Sequence, residues 1–322
     1  MKRIDLANYV EALAGSRHPY QAKYFAMYSS QLDGLVMDPV LMQLPVDDHL
    51  VHRGDGVFET CKCVAGAIYL FEAHLLRLEH SAATIGILWP AGMDAVRRLT
   101  LETVQAAAQR DCSIRIILSR GPGSFGVSPY DSPLPALYIV VYGLGRPFMD
   151  LHPEGATVGR STIPAKPAEM AAIKNCNYLP NVLMKREAVD RGLDFVVGYD
   201  AKGCLTEGPT ENIGMVTRRR ELVFPRLENI LAGTTMLRLV ELARPLLDSG
   251  VLRTIEFRDI SEEEVRMAAE LLIVGTTLNV VAVRSYEGQT IGDGRPGPIW
   301  RQLQTLLEDD ILRSEAVRTA VI

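Results

Sequence analysis

The stretch "EMAAIKNCNYLP" (169–180) sets one lysine, Lys174, among alanines, an isoleucine, two asparagines and a tyrosine, with its nearest carboxylate five residues upstream at Glu169. The chain has seven lysines, at 2, 23, 62, 166, 174, 185 and 202, against 27 arginines, so lysine is not its default cation. What lysine offers and arginine lacks is an amine that can lose its proton in a dry site and attack a carbonyl to form a Schiff base. The apolar "MAAI" before Lys174 could supply such dryness; read alone, a lone lysine in a loop is more often a solvated charge than a nucleophile. Its neighbours favour chemistry. Tyr178, four residues on, can hydrogen-bond a phenolate on a bound aromatic ring, and Asn177 can order the turn between them.

At 322 residues the chain is long enough for one large or two ordinary domains. A net charge of −5, with acidic and basic residues interspersed, leaves no basic footprint for a nucleic acid or an anionic membrane surface, so small molecules are the expected partners. Five scattered cysteines, at 61, 63, 112, 176 and 204, suit a reducing compartment better than a disulfide framework. "MKRIDLANYVEALAG" lacks the apolar core of a signal peptide, and no apolar run reaches ~18 residues. A cytoplasmic location is expected.

Hairpins dominate the first half. "YFAMYSSQLDGLVMDP" reads as two strands around Asp33-Gly34, and "VFETCKCVAGAIYLF" as two more turning at Ala65-Gly66. "EAHLLRLEHSAATIG" and "MDAVRRLTLETVQAAAQR" carry helical spacing, while "IRIILS" and "PALYIVVYG" are short β-rich runs. An α+β unit over 1–142 follows, then a Gly/Pro linker over 143–155, then a second α/β domain over 156–322. In that second half "ATVGRST", "DFVVGY", "GCLTE", "NIGMVT" and "ELVFP" read as strands, with Arg218 to Arg220 as a solvated hairpin tip. "LPNVLMKREAVDRG" and "GTTMLRLVELARPLL" read as helices, "SEEEVRMAA" opens on a Ser261/Glu264 capping box, "ELLIVGTTLNVVAV" is strand, turn, strand, and "GPIWRQLQTLLEDDIL" closes the chain as a helix.

Two motifs mislead. "GPGSFG" (121–126) has the spacing of a dinucleotide fingerprint, but that fingerprint must open a helix, and "VSPYDSPLP" is too proline-rich to be one. Cys61-x-Cys63 points two thiols to one strand face without a second metal-spaced pair, so packing is expected, and no histidine pair has zinc-hydrolase spacing. More informative is "CLTEGPTENIG", which puts Glu207 before a Gly-Pro kink, as a pocket carboxylate or as a strand-end surface charge. "AGTT" (232–235) and "GTT" (275–277) are turns whose backbone N–H groups and hydroxyls meet the needs of a phosphate, or merely cap elements. Together these features describe an aldehyde-bearing aromatic cofactor with a phosphate arm.

In the same order along the chain, "HRGDGVFET", "HLLRLEHSA", "IKNCNYL", "LTEGPTENI", "ILAGTT", "GTTLNVVAV" and "IGDGRPGPIWRQLQ" resemble the motifs of class IV (fold type IV) pyridoxal-phosphate-dependent aminotransferases, from about residue 50 to about 305. That family includes branched-chain aminotransferases, D-amino acid aminotransferases and aminodeoxychorismate lyases. The resemblance implies two α/β domains with pyridoxal 5′-phosphate between them, in a homodimer. It implies a Schiff base on Lys174, Glu207 on the pyridine nitrogen and Tyr178 on the ring. Arg77, Gly233, Thr234, Thr235 and Thr276 would hold the cofactor, and Arg115, Phe58 and Thr277 would line the substrate site. A carboxylate beside the ring nitrogen keeps it protonated and so makes the ring an electron sink, while the lysine amine, once displaced, moves the substrate proton. Read without the family, Arg77 is a surface arginine on an amphipathic helix.

Within the family, D-amino acid enzymes bind the substrate carboxylate through an Arg-x-His pair after "TRG", which "SRGPGSFGVSPYD" lacks. Branched-chain enzymes have a Y-x-R strand followed by a G-x-G-V-x-P loop. "SIRIILSRGPGSFGVSP" keeps Arg115, Gly126, Val127 and Pro129 but has Ser113 in place of the tyrosine, while "RGDGVFET" is closer to the lyase and D-amino acid forms. The order of expectation is a branched-chain-like aminotransferase using 2-oxoglutarate, then an aminodeoxychorismate lyase releasing 4-aminobenzoate and pyruvate, then a D-amino acid or amine aminotransferase. From other classes, a nicotinamide oxidoreductase using "GPGSFG" or a non-catalytic binding protein would both lack the near-visible absorbance of a lysine-bound cofactor.

Overall fold

Left-handed turn residues set the hairpins of the first half. In the computed structural model, which describes residues 1–321, strands β1 (Tyr24–Ser29) and β2 (Gly34–Val36) turn through Asp33 at φ +44°; β3 (Gly56–Val64) and β4 (Ala67–Tyr69) turn through Ala65 at +51° and Gly66 at +79°. Two positive φ values in succession give the twist that a two-residue hairpin needs. Before them lie α1 (Leu6–Ala14), with no buried residue, and between them the short α2 (His49–Arg53). Helices α3 (Phe71–Thr84) and α4 (Gly92–Ala107) follow, and β5 (Cys112–Ser119) and β6 (Ala136–Gly143) complete a wholly antiparallel core. Cys61 and Cys63 are fully buried. The "GPGSFG" segment opens no helix: Pro122 bridges to Asp48, and only a 3-10 turn at Pro129–Asp131 follows.

The second unit spans Gly145–Val317. Residues expected to be a plain linker include a helical turn, α5 (Phe148–Leu151). Then come β7 (Ala156–Arg160), α6 (Ala168–Ala171), α7 (Leu179–Asp190), β8 (Phe195–Val197), β9 (Asn212–Val216) and β10 (Glu221–Phe224), with Thr217–Arg220 as the β9–β10 turn. The helix expected over "GTTMLRLVELARPLL" is two, α8 (Thr234–Leu242) and α9 (Arg244–Asp248), because Pro245 has no N–H to continue the ladder. The rest is β11 (Thr254–Phe257), α10 (Glu262–Met267) with its Ser261/Glu264 capping box, β12 (Glu270–Gly275), β13 (Asn279–Tyr286), β14 (Gln289–Thr290) and α11 (Pro298–Arg313). The sheet order is β11-β10-β9-β12-β13-β7-β8, with β14 on β13, and parallel pairs at β10/β11, β13/β7 and β7/β8.

Two expectations need correction. "GCLTE" is not a strand: it pairs only through isolated bridges, Tyr199 with Leu205, Cys204 with Ser261 and Glu207 with Asn212, since the turn at Gly203 and the Gly208-Pro209 break stop any longer ladder. The last residues, expected in the second domain, return to the first: β15 (Arg318–Ala320) pairs antiparallel with β4, giving the first sheet the order β15-β4-β3-β5-β6-β1-β2. A backbone edge on β4 makes that pairing available to any extended segment that can reach it.

Helix α11 depends on one buried carboxylate. Glu270, at the start of β12, accepts hydrogen bonds from Ile299 N at 3.0 Å and Trp300 N at 2.7 Å, two of the donors that the first turn leaves unpaired. Trp300 Nε1 in turn donates to Val280 O at 3.1 Å on β13. Replacing Glu270 with Ala is expected to strand both N–H groups and cost about 2–4 kcal/mol, read as a lower urea midpoint with an unchanged slope.

Candidate active site

In the second unit, Asn212 brings four segments together. Its backbone starts β9, sits opposite Val274 at the end of β12, and bridges to Glu207, closing the tight 207–212 turn. Its side-chain Nδ2 donates to Leu231 O at 2.9 Å, and a Cβ on Gly233 would lie 1.9 Å from its Oδ1. Glycine at 233 is therefore a requirement of close approach. Strand β12 runs on from Val274 into the Gly275–Thr277 turn, so the two phosphate-type turns of the sequence are both anchored to Asn212.

At the first of these turns, α8 begins on Gly233 with no side-chain cap. Thr234 and Thr235 are buried, and among the described residues the Thr235 hydroxyl oxygen has no hydrogen-bond partner. A buried, unsatisfied hydroxyl at an uncapped helix N-terminus matches the demand of an anion. In the second turn Thr276 is partly buried and Thr277 is exposed.

Glu207 turns its carboxylate toward the same place, with Oε2 accepting from Leu231 N at 3.0 Å. Desolvation raises its pKa above the ordinary carboxylate value, and the Leu231 N–H, Lys166 and Lys174 only partly offset this. A carboxylate that gains by sharing a proton is suited to hold one on a ring nitrogen. Lys174 is 9% exposed, in the turn between α6 and α7, which answers the question its apolar neighbours pose: it is a buried amine. Tyr178 stands at the residue before α7, without a side-chain capping bond, and is half-buried.

Two contributors here were not singled out by sequence reasoning. Asn212 lies inside the quoted "LTEGPTENI" without having been assigned a role. Lys166, one of the seven lysines, shares a small cavity with Glu207 and holds its Nζ 5.0 Å from the centre of the Tyr178 ring. Burial lowers its pKa, and Glu207 acts against that. The usable signal was its scarcity and its place between two prolines in "PAKP".

The remaining site candidates belong to the first unit. Arg115 on β5 lays its guanidinium 4.7 Å from the centre of the Phe58 ring on β3, while its buried Nε has no hydrogen-bond partner among the described residues. Arg77 is no surface arginine. Its Nε and Nη2 donate to Glu59 at 2.7 and 2.8 Å, and His74 Nδ1 meets the same carboxylate at 2.7 Å. Glu59 points to the opposite face of β3 from Phe58, so Arg77 and Arg115 serve different faces of the sheet. Among the described residues no group of three His, Cys, Asp or Glu could hold a metal ion, and no helix is long and apolar enough to cross a membrane.

Burial alone would raise the Glu59 pKa, yet Arg77 and His74 outweigh it and hold the carboxyl well below the usual range. Because the folded-state pKa is depressed, its stabilisation is fully present above the unfolded value of about 4.3 and is lost as pH falls. Glu59→Gln is expected to cost about 3–5 kcal/mol at pH 7, since Arg77 is left without its counter-charge. Urea melts from pH 7 down to pH 3 should show the gap between wild type and variant narrowing below about pH 4.3.

Comparison with known proteins supplies the family context. Residues 56–286 match the family described as amino-transferase class IV. The chain is 38% identical over 290 residues to a chloroplastic D-amino-acid transaminase of Arabidopsis thaliana, covering 90% of this chain and 77% of that protein. It is 28% identical over 278 residues to a putative branched-chain-amino-acid aminotransferase of Methanocaldococcus jannaschii, covering 86% and 94%. Among solved structures, the branched-chain aminotransferase of the thermophilic archaeon Thermoproteus uzoniensis with norvaline superposes with a TM-score of 0.82 at 23% identity, covering 93% of this chain and 100% of that one. A branched-chain amino acid aminotransferase solved with pyridoxamine 5′-phosphate superposes with a TM-score of 0.86, also at 23% identity, covering 93% and 99%.

Proposed function

Because the chain belongs to the class IV aminotransferases, we propose that it moves an amino group between an apolar, branched-chain-type amino acid and 2-oxoglutarate. The cofactor is pyridoxal 5′-phosphate. The residues fit it: the orphaned Thr235 hydroxyl and the uncapped start of α8 suit its phosphate, the desolvated Glu207 carboxyl suits its ring nitrogen, and the buried Lys174 amine suits its aldehyde. When bound, the group supplies an electron sink for the carbanion left at the substrate Cα. In this reading Glu207 holds the proton on the ring nitrogen, Tyr178 orients the ring through its hydroxyl, and Lys174 Nζ takes and returns the Cα proton. A homodimer is implied by the family resemblance, and a cytoplasmic location is the expectation drawn from the scattered cysteines; sedimentation of the purified chain tests the first.

The observation that carries the substrate reading is Arg115. A transaminase must accept two unlike substrates, and a cation used by only one of them resolves the conflict. The guanidinium lies over the Phe58 ring, 4.7 Å from its centre, and its buried Nε is a donor with no acceptor among the described residues. The side-chain carboxylate of glutamate or 2-oxoglutarate would supply one. A second reading, a D-amino acid as donor, is favoured by the 38% identity to the Arabidopsis thaliana transaminase.

Lys174→Ala is expected to abolish turnover and to remove the near-visible absorbance of the lysine-bound cofactor. Normal turnover by that variant would refute the assignment of the amine. For Arg115→Met, stopped-flow half-reactions should lose about 2–5 kcal/mol of transition-state binding with glutamate and far less with leucine or valine. Equal loss with both substrates would overturn the dual-substrate reading. The same assay run with D- and L-enantiomers separates the two donor readings, and pyruvate release from aminodeoxychorismate with little leucine turnover would make the chain a lyase instead.

A further inference from the structure

We propose that a concavity in the second unit, formed by the β9–β10 turn and the segment leading into α11, is an anion site distinct from the cofactor cradle, and that it takes an organic anion carrying two or more phosphate groups. The concavity is open to solvent and has a volume of about 560 Å³, within the usual size range of small-molecule sites. Four arginines line it: Arg218 and Arg220 from the turn, Arg295 and Arg301 from the other side. Among the described residues none of the four makes an ion pair, whereas Arg226, Arg238 and Arg258 of the same unit are each paired with a carboxylate. Arg220 uses one nitrogen on Gly250 O, at 2.8 Å.

Two acidic residues, Glu270 and Asp293, also line the concavity, so four arginines against two carboxylates leave a formal charge of +2. Glu270 is committed to Ile299 N and Trp300 N at the start of α11, and Asp293 accepts from Arg295 N at 3.0 Å. All four arginines are exposed and none is ion-paired among the described residues, so in a chain with a net charge of −5 this lining keeps a local positive charge that attracts an anion. Val251, Pro296 and Ile299 give the concavity apolar wall, so an anion with an organic body gains more than a bare phosphate. Planar, bidentate guanidinium groups favour phosphate oxygens over single-point anions.

Strand register separates this site from the cofactor cradle. Glu270 and Val216, paired across β12 and β9, line the concavity; Val274 and Asn212, paired at the other end of the same two strands, carry the phosphate-type turns. Four residue steps along the strands put the two ends about 13 Å apart.

Calorimetric titration of the cofactor-loaded enzyme, whose own cradle is filled, tests the site at ~0.15 M ionic strength. ATP is expected to bind with a Kd below about 1 mM and tripolyphosphate more weakly, with both weakened about tenfold or more by the double substitution Arg295→Ala/Arg301→Ala. Turnover without ATP should stay at the wild-type value, and an unchanged thermal transition shows that the variant is folded; Arg218→Ala provides an independent second variant. No binding of either probe, binding unchanged in both variants, or equal binding of sulfate would overturn the proposal. Capture by vesicles carrying a bisphosphorylated inositol lipid, with no ATP binding, would assign the arginines to a membrane headgroup and equally overturn a soluble ligand.

Discussion

The hydrogen bond from Asn212 Nδ2 to Leu231 O, and the absence of a side chain at Gly233 that allows the amide to sit there, fix the candidate site of the second unit. Through its backbone the same asparagine sets the start of β9 against the end of β12 and closes the turn carrying Glu207. One amide thus couples the carboxylate, the start of α8 and the turn after β12. A displacement of any one of these would be felt by the other two.

Charge burial follows two patterns in this chain. Glu59 is fully desolvated but wrapped by Arg77 and His74, so its charge is retained and structural. Glu207 is desolvated with one backbone donor and two ammonium groups acting from farther away, so its pKa rises instead. A carboxylate satisfied by direct contacts has little left to offer a ligand, whereas one that is only partly compensated can still share a proton. Arg77 Nε donates to Glu59, while the buried Arg115 Nε has no hydrogen-bond partner among the described residues.

Much of this was legible in the sequence. Hairpins at Asp33-Gly34 and Ala65-Gly66 follow from turn chemistry and the capping box at Ser261 from its spacing, whereas the apolar neighbours of Lys174 left its burial open. The paired motifs around Lys174 and Glu207 carried the family, because their order and separation are demanding. The rejection of "GPGSFG" as a dinucleotide fingerprint also needed only the prolines that follow it.

What the sequence could not decide were the contacts made across long separations. Whether Arg77 is a surface charge depends on Glu59, 18 residues away on another element, and a one-dimensional pattern holds no register between strand and helix. The "GCLTE" segment has strand composition, but a ladder needs a continuous neighbour and the backbone there has only single bridges. The final strand joins the first sheet because β4 has an edge to offer, a property of the assembled sheet and not of residues 318–320. Local propensity and motif spacing determined the elements and the chemical groups; tertiary structure alone decided which charges are satisfied, because compensation depends on distance in space.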